Sequence, residues 1–266
     1  MKLLAFLKKD ILVAVSYRFA MVLRFGGMFI SLLMLYFIGK TFGGAISPHL
    51  ERYGGDYFPY VLVGMAVSSF VTVGLGALAR EVRSAQVQGT LEALLSTPTS
   101  IYTILIGNSL WTFIAALIQA LFLLAVGVIF LKLSILPVHG FFAVVVLLLT
   151  FLAFLTVGMM SAAFIMIFKQ GNPIQFFFGT SSFFLGGILF PVEVLPGPFR
   201  FVSALLPISH AVKAVRELLL ARAEIHEVLP ILANLLIFIA VFAPVGIVFF
   251  RYAVKRAKRD GSLVQY

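Results

Sequence analysis

The side chains that could carry chemistry are few and scattered in this sequence. The chain has no cysteine, which excludes a thiol nucleophile, a disulfide and a zinc–thiolate site. Its histidines stand singly, without the spacing of a metal site or a catalytic group: His49, His139, His210 and His226. The pattern Gly-x-x-x-x-Gly-Lys-Ser/Thr, which holds nucleotide phosphates, is absent. The sequence therefore predicts that the chain is not an enzyme and holds no metal or cofactor of its own.

Six long apolar runs without a single Asp, Glu, Lys, Arg or His dominate the chain. They are residues 25–39, 57–79, 101–131, 140–168, 174–192 and 229–250. About 20 apolar residues suffice to cross the hydrocarbon of a bilayer. Together with 62% hydrophobic residues and a mean hydropathy of +1.11, the runs predict an all-α polytopic membrane protein with six transmembrane helices.

The uncharged interior of these runs argues against one class of transporter. Carriers driven by protons or sodium usually place an ionisable group at membrane depth, where it binds and releases the coupling ion. The sequence therefore disfavours an ion-coupled carrier, and any uphill movement must draw its energy from a partner protein.

The basic residues indicate how the chain is oriented. The formal net charge is +10, and most of the 20 Lys and Arg residues fall on the side of the six predicted spans that holds both termini. Because cytoplasmic loops are rich in Lys and Arg, both termini are predicted to be cytoplasmic, in a multi-pass protein of the cell membrane. The same rule accounts for the charge without nucleic acid as a partner.

Two segments outside the runs also have helical patterns. Within residues 1–24, Leu7 and Ile11 share one face and Lys2 and Lys9 the opposite one, which predicts an amphipathic helix at the bilayer interface. A solvated first turn of the first span is the alternative. Residues 193–228 are too apolar for a free loop and too rich in proline for a spanning helix. They predict a re-entrant helical pair between spans five and six, with a surface amphipathic helix as the alternative. The whole chain, residues 1–266, is predicted to form one domain.

The most polar stretch between two runs is REVRSAQVQGTLEALLSTP, residues 80–98. Gly89 can adopt the left-handed conformation that closes one helix, and Thr90 can cap the next. Glu92 then lies in a first turn, where the helix dipole favours a carboxylate. The pattern predicts a helix, a sharp elbow and a second short helix along the cytoplasmic surface, although a plain capped loop has similar features.

Glu81 followed by GTLEALLSTP resembles the cytoplasmic signature of the type-2 ABC exporter permeases, especially their drug-resistance and lipid-export branch. The later LPISHAVKAVRELL, residues 206–219, is similar to the second signature of that family. The order of the spans and the amphipathic start agree, so the resemblance covers essentially the whole chain. The polysaccharide-exporting branch usually has a different opening helix and less of the GTLE pattern.

The resemblance implies a permease subunit of an ATP-driven exporter for a hydrophobic or amphiphilic substrate, such as a drug, a lipid or a lipid-linked molecule. It implies a second permease subunit, as a homodimer, and two separate ATPase subunits that bind ATP and Mg. A polysaccharide or glycolipid exporter and a nontransporting membrane scaffold are the alternatives. The residues expected to couple to the ATPase are Arg80, Glu81, Arg83, Gln86, Gly89, Thr90, Leu91, Glu92, Lys169 and Gln170.

The fifth run offers a candidate pathway. Phe176, Thr180, Phe183 and Gly187 share one helical stripe, with Phe184 nearby. An aromatic stripe suits the path of an amphiphilic substrate, but it would pack equally well against lipid or neighbouring helices. The resemblance further implies that the helical pair closes the path outside. The candidate residues of this external gate are Pro191, Pro207, His210 and Arg216.

Overall fold

A computed structural model describes residues 2–92, 101–131, 137–169, 171–221 and 223–259. All regular secondary structure in these ranges is helical. In chain order the helices are α1 (Lys2–Ser16), α2 (Arg18–Ile46), α3 (Tyr57–Val87), α4 (Ile101–Leu131), α5 (Pro137–Phe168), α6 (Pro173–Leu185), α7 (Gly197–Leu205), α8 (Pro207–Leu219) and α9 (Ile225–Arg259). Short 3-10 turns lie at Ser47–His49, Glu51–Tyr53 and Val192–Val194.

Five of the described helices are long and apolar enough to cross a membrane: α2, α3, α4, α5 and α9. The predicted fifth span, residues 174–192, is wrong as a single helix. Its helix α6 has 13 residues, or about 20 Å at 1.5 Å per residue, against about 30 Å of hydrocarbon. The helix stops at Gly186 and Gly187, where Gly187 has a φ of 72°. A count of six spanning helices is therefore not confirmed.

Two further boundaries differ from the sequence prediction. The amphipathic segment 1–24 divides into α1, which ends at Ser16, and the start of α2 at Arg18. Residues 80–87 continue α3 instead of forming a helix of their own. No glycine or proline interrupts the chain there, so the polar residues prolong a helix that the apolar run began.

Helix α3 lies at the centre of the fold. It packs against α4 and α5, while α5 also packs against α9 and α8. Helices α3 and α5 approach closely at Gly158, where a Cβ would overlap the Gly74 carbonyl oxygen. Small residues let two membrane helices approach this closely.

Most of the predicted site residues lie at two ends of the helix bundle. We call the region of residues 80–92, 169–175 and the last turns of α9 the elbow end, since Ala79, Ala163 and Ala257 share one buried cluster there. We call residues 50–60, 186–195, α7 and α8 the opposite end. Residues 193–228, predicted to form a re-entrant helical pair, contain the two short helices α7 and α8, and their last four residues already belong to α9. The depth of α7 and α8 in a bilayer stays a prediction.

Candidate functional site

The elbow end begins where α3 stops. Gly89 has a φ of 68°, the left-handed conformation that the sequence predicts. Its N–H donates to the Gln86 carbonyl at 3.1 Å, and the Thr90 N–H donates to the Ala85 carbonyl at 2.9 Å. This pair of bonds is a Schellman motif, which satisfies the last carbonyls of a helix and turns the chain sharply. The elbow therefore has a defined geometry.

Thr90 closes the helix that precedes it. Its hydroxyl donates to the Ala85 carbonyl at 3.4 Å, back toward α3. Leu91 and Glu92 are already helical, so a second element starts directly after the turn. The remainder of the predicted second helix, residues 93–98, lies outside the described residues.

Burial divides the elbow residues into two groups. Gln86 and Leu91 are buried and fix the turn to the bundle. Val87, Gln88, Thr90 and Glu92 are exposed, and the apolar Val87 side chain is 63% exposed. The outer side of the elbow therefore combines polar side chains with one exposed apolar side chain.

A second turn is fixed to the elbow. The Arg83 guanidinium donates to the carbonyl of Lys169, just after the end of α5. Lys169 and Gly171 both have positive φ, at 60° and 67°. The predicted contact residues Arg83 and Lys169 are thus brought together, while Gln170 lies outside the described residues.

Asn172 links this turn to α6. Its side-chain oxygen accepts the Gln175 N–H at 3.1 Å, as an N-cap, and the Ser161 hydroxyl at 2.6 Å. Pro173 follows at the first helical position, where its missing N–H costs nothing. Asn172 therefore ties the chain after Lys169 to both α5 and the start of α6.

A groove of about 470 Å³ lies between the last turns of α3 and residues 171–175. Arg80, Arg83 and Ser84 line it from α3, and Asn172 and Gln175 from the start of α6. Glu81 is half-buried on the last turns of α3. Two arginine side chains, Arg80 and Arg83, therefore face this groove near the elbow.

At the opposite end, Arg216 joins three segments of the chain. The side chain is 3% exposed. Its guanidinium donates to the carbonyls of Gly187 at 2.6 Å, Ile188 at 2.9 Å and Tyr60 at 2.9 and 3.1 Å. It also lies 3.3 Å from the centroid of the Tyr60 ring. These bonds tie α8 to the start of α3 and to the chain after α6.

Glu217 extends this network outward. The buried carboxylate pairs with Arg52 at 2.9 Å and accepts a bond from the Tyr53 hydroxyl at 3.5 Å. Burial, with the nearby Glu217 charge, raises the pKa of Tyr53 to about 12, so the phenol keeps its proton as a donor. Arg52, Tyr53, Tyr60 and Glu217 were missed by the sequence analysis. The adjacent Arg-Glu pair on the otherwise apolar face of α8 was the signal that could have found Glu217.

The other predicted gate residues lie nearby. His210 and Arg216 line a cavity of about 230 Å³. The His210 ring contacts the Ala204 carbonyl at 2.9 Å and the Asn234 side chain of α9 at 3.4 Å. Pro191 and Pro207 are buried, at the N-cap of a 3-10 turn and at the first position of α8. Their role in gating stays a prediction.

The predicted stripe of the fifth run is only partly a stripe. Phe176, Thr180, Phe183 and Phe184 lie on exposed parts of α6. Gly187 does not share their helical face, because the helix has ended and residue 187 is buried beneath Arg216. The exposed rings are available to lipid, substrate or a second protein chain.

Comparison with known proteins places these features in a family. A family model described as ABC-2 type transporter matches residues 2–220. Nodulation protein J of Rhizobium meliloti (strain 1021) is 28% identical over 196 residues, which cover 73% of each chain. Nodulation protein J of Sinorhizobium fredii (strain NBRC 101917 / NGR234) is 30% identical over 188 residues, 69% of this chain and 70% of that protein. Inner membrane transport permease YadH of Escherichia coli (strain K12) is 25% identical over 186 residues, 69% of this chain and 71% of that protein.

Proposed function

The chain belongs to the ABC-2 type transporter family, and from that membership we propose that it is the membrane-spanning permease subunit of an ATP-driven exporter. Two separate ATPase subunits bind ATP with Mg and supply the energy, since the sequence contains no phosphate-binding loop. A second copy of the chain completes the translocation pathway. The cytoplasmic face is the elbow end, where the basic residues of the chain termini are concentrated.

The observation that carries this proposal is the construction of the elbow. Its backbone is fixed by the Schellman bonds at Gly89 and Thr90, and its inner residues Gln86 and Leu91 are buried. Its outer residues Val87, Gln88 and Glu92 are exposed. A rigid turn with an exposed apolar tip is the form expected of a segment that fits into a cleft of a moving partner.

The fold also supports a route by which movement of the elbow reaches the opposite end of the bundle. Helix α3 runs without interruption from Tyr57 to Val87, about 46 Å at 1.5 Å per residue. One end carries the elbow, and the carbonyl of Tyr60 near the other end accepts the Arg216 guanidinium. Movement of the elbow therefore reaches α8 through one rigid element, as in transitions that shift whole helices.

The substrate class follows from the surfaces that the chain presents. The described part of α6 exposes Phe176, Phe183 and Phe184, and no Asp, Glu, Lys, Arg or His lies between residues 174 and 192. An apolar, aromatic wall suits a hydrophobic or amphiphilic molecule better than a small polar one. We assign the exported substrate to that class.

Gly89→Val tests the coupling role. No atom lies within 4 Å of a Cβ at residue 89, so the variant strains only the backbone at φ 68°, by about 1–2 kcal/mol. We expect the amount of ATPase that copurifies with the chain from its native membrane to fall about tenfold. Gly89→Asn, which tolerates the left-handed conformation, should retain the ATPase.

Gly54→Val is the matched control, because Gly54 also has a positive φ and open space but lies at the opposite end. It should leave the ATPase bound. A wild-type chain that purifies without any nucleotide-binding partner would contradict the proposal, as would equal ATPase recovery with Gly89→Val.

A further inference from the structure

The last turns of α9 carry several basic side chains on one face. We call this face the basic stripe, and its members are Arg251, Lys255, Lys258 and Arg259. They recur at spacings of three or four residues, which places them on the same side of a helix. All four are exposed, whereas Phe250, Ala253 and Ala257 on the other side are buried. The stripe is therefore directed away from the helix bundle.

The helix itself supplies little negative charge to balance the basic stripe. Residues 251–259 contain five Lys or Arg and no Asp or Glu, which gives a formal charge of +5. The carbonyl end of a helix dipole is equivalent to about half a negative charge. That dipole, or one carboxylate from a neighbouring helix, offsets only a small part of +5. The stripe therefore belongs to a strongly positive surface.

The packing of α9 indicates the depth at which the basic stripe lies. Phe250 is the last residue of the apolar run 229–250, and it shares a buried cluster with Ala79, the last residue of the run 57–79. Two spans thus end their apolar runs at the same level. Arg251 follows directly, and Lys255 lies about 6 Å further along the helix axis. Because the headgroup layer of a bilayer is about 5–8 Å thick on each side, the stripe begins within that layer.

The elbow lies further from the hydrocarbon than the basic stripe does. Val82 of α3 and Ala257 of α9 belong to the same buried cluster. Gly89 follows seven residues after Val82, or about 10 Å further along α3. A protein bound to the exposed elbow is therefore beyond the headgroups, whereas the stripe is level with them. This difference in depth favours lipid over the ATPase as the partner of the stripe.

We propose that the basic stripe binds the headgroups of anionic phospholipids. Lipid phosphates accept hydrogen bonds from Arg251 and Lys255, and the flexible side chains of Lys258 and Arg259 extend back to the same layer. Tyr252 is 53% exposed next to Arg251, and aromatic residues of this kind are enriched at membrane interfaces. Basic clusters directly beside a membrane span recognise anionic lipids. The inference does not depend on the ATPase partner or on the exported substrate.

An indole placed beside the basic stripe tests the proposal. Tyr252→Trp is made in a Trp111→Phe background, which removes the only natural tryptophan. The purified full chain is placed in phosphatidylcholine nanodiscs with a small fraction of brominated lipid. We expect brominated phosphatidylglycerol to quench the indole several-fold more strongly than the same fraction of brominated phosphatidylcholine. Equal quenching by the two lipids, or no quenching by either, would overturn the proposal.

Two triple variants in the same background separate the stripe from net charge. The first carries Arg251→Gln, Lys255→Gln and Lys258→Gln, and it should lower quenching by phosphatidylglycerol to the phosphatidylcholine level. The matched control removes three other exposed positive charges, with Lys8→Gln, Lys9→Gln and Arg18→Gln. The control should keep the preference, because the reporter senses only the lipids beside α9. Equal losses in the two variants would show an effect of net charge and refute the stripe as the binding surface.

Salt tests whether charge carries the preference. The Debye length falls from about 10 Å in about 0.1 M salt to about 3 Å in about 1 M salt. Quenching by phosphatidylglycerol should therefore approach that by phosphatidylcholine as NaCl is raised over this range. A preference that is unchanged by salt contradicts binding through the basic stripe. If the two lipids quench equally and the first triple variant loses its copurifying ATPase, the stripe binds the protein partner instead of lipid.

Discussion

The Arg216 side chain makes several of the hydrogen bonds that hold the opposite end together. A guanidinium keeps its charge at neutral pH. The buried guanidinium of Arg216 donates hydrogen bonds to three backbone carbonyls and lies over the Tyr60 ring. Buried carbonyls that lose such a partner each cost about 1–3 kcal/mol. The order of this end of the molecule therefore depends on Arg216.

Arg216→Met keeps most of the side-chain volume but removes every donor. We expect the free energy of unfolding to fall by about 3 kcal/mol or more, because the carbonyls of Tyr60, Gly187 and Ile188 lose their partner together. Thermal unfolding of the purified protein in one detergent measures the effect. Lys213→Met, an exposed position on the same helix, is the control. Equal melting temperatures for the two variants would refute this role of Arg216.

Sequence reasoning succeeded at residues whose type alone restricts their conformation. Gly89 was predicted to be left-handed because it follows a helical pattern and precedes a cap residue, and the structure agrees. The partners of Arg216 could not be predicted, since they are backbone carbonyls, which carry no signal in the sequence. Their positions follow from the break after α6 and from the packing of α8.

At the scale of elements, contact between α3 and α5 depends on glycine. A Cβ at Gly158 would overlap the Gly74 carbonyl oxygen, and a Cβ at Gly74 would lie 2.9 Å from the Cβ of Phe154, so neither position has room for a side chain. A similar close approach joins α9 to α5 at Gly246, where a Cβ would lie 2.6 Å from the Thr156 carbonyl oxygen. Helix association in lipid rests on such packing, because lipid tails remove the hydrophobic drive between helices.

Gly158→Ala tests this packing with a single methyl group. We expect a destabilisation of about 1–3 kcal/mol from the forced separation of α3 and α5, measured by thermal unfolding in detergent. Gly26→Ala on α2 is the matched control, because no atom lies within 4 Å of its added Cβ. The change from glycine to alanine raises the intrinsic helix propensity by the same amount at residue 26 as at residue 158. A Gly158→Ala protein as stable as Gly26→Ala would rule out a tight helix contact at this position.

Apolar runs were a good guide to the spanning helices and a poor guide to their ends. Runs 57–79 and 140–168 appear as parts of α3 and α5, because about 20 apolar residues leave few alternatives to a membrane helix. The prediction of one spanning helix over residues 174–192 was wrong, because the absence of charged residues does not show whether two consecutive glycines end the helix. The predicted end of the second span at residue 79 was too early, because the polar residues 80–87 favour continuation of the helix even though they are not apolar.

At the scale of the whole molecule, large apolar faces remain uncovered. Only 6% of the residues in the most apolar stretch of α2 are buried, and Phe176 and Phe183 of α6 are 74% and 42% exposed. Lipid covers part of this surface. The proposed homodimer would place a second copy on the α6 face.

A single cysteine tests the dimer, since the chain has none of its own. Thr180→Cys on the exposed face of α6 should form a disulfide with its copy when native membranes are oxidised, because the proposal places both α6 faces at the dimer axis. Val241→Cys on α9, which is also exposed, should remain monomeric. Efficient crosslinking at Val241 with none at Thr180 would place the dimer contact on another face.

The central claim is that the elbow binds an ATPase subunit, and crosslinking from Gln88 tests it most directly. Gln88→Cys carries the only thiol of the chain, on the exposed rim of the elbow, and a maleimide with a photoreactive group extends its reach by a few ångströms. The account predicts that illumination of native membranes joins Gln88 to a nucleotide-binding protein and that Val194→Cys, exposed at the opposite end, gives no such product. A copurifying ATPase that crosslinks to Val194 but never to Gln88 would contradict it.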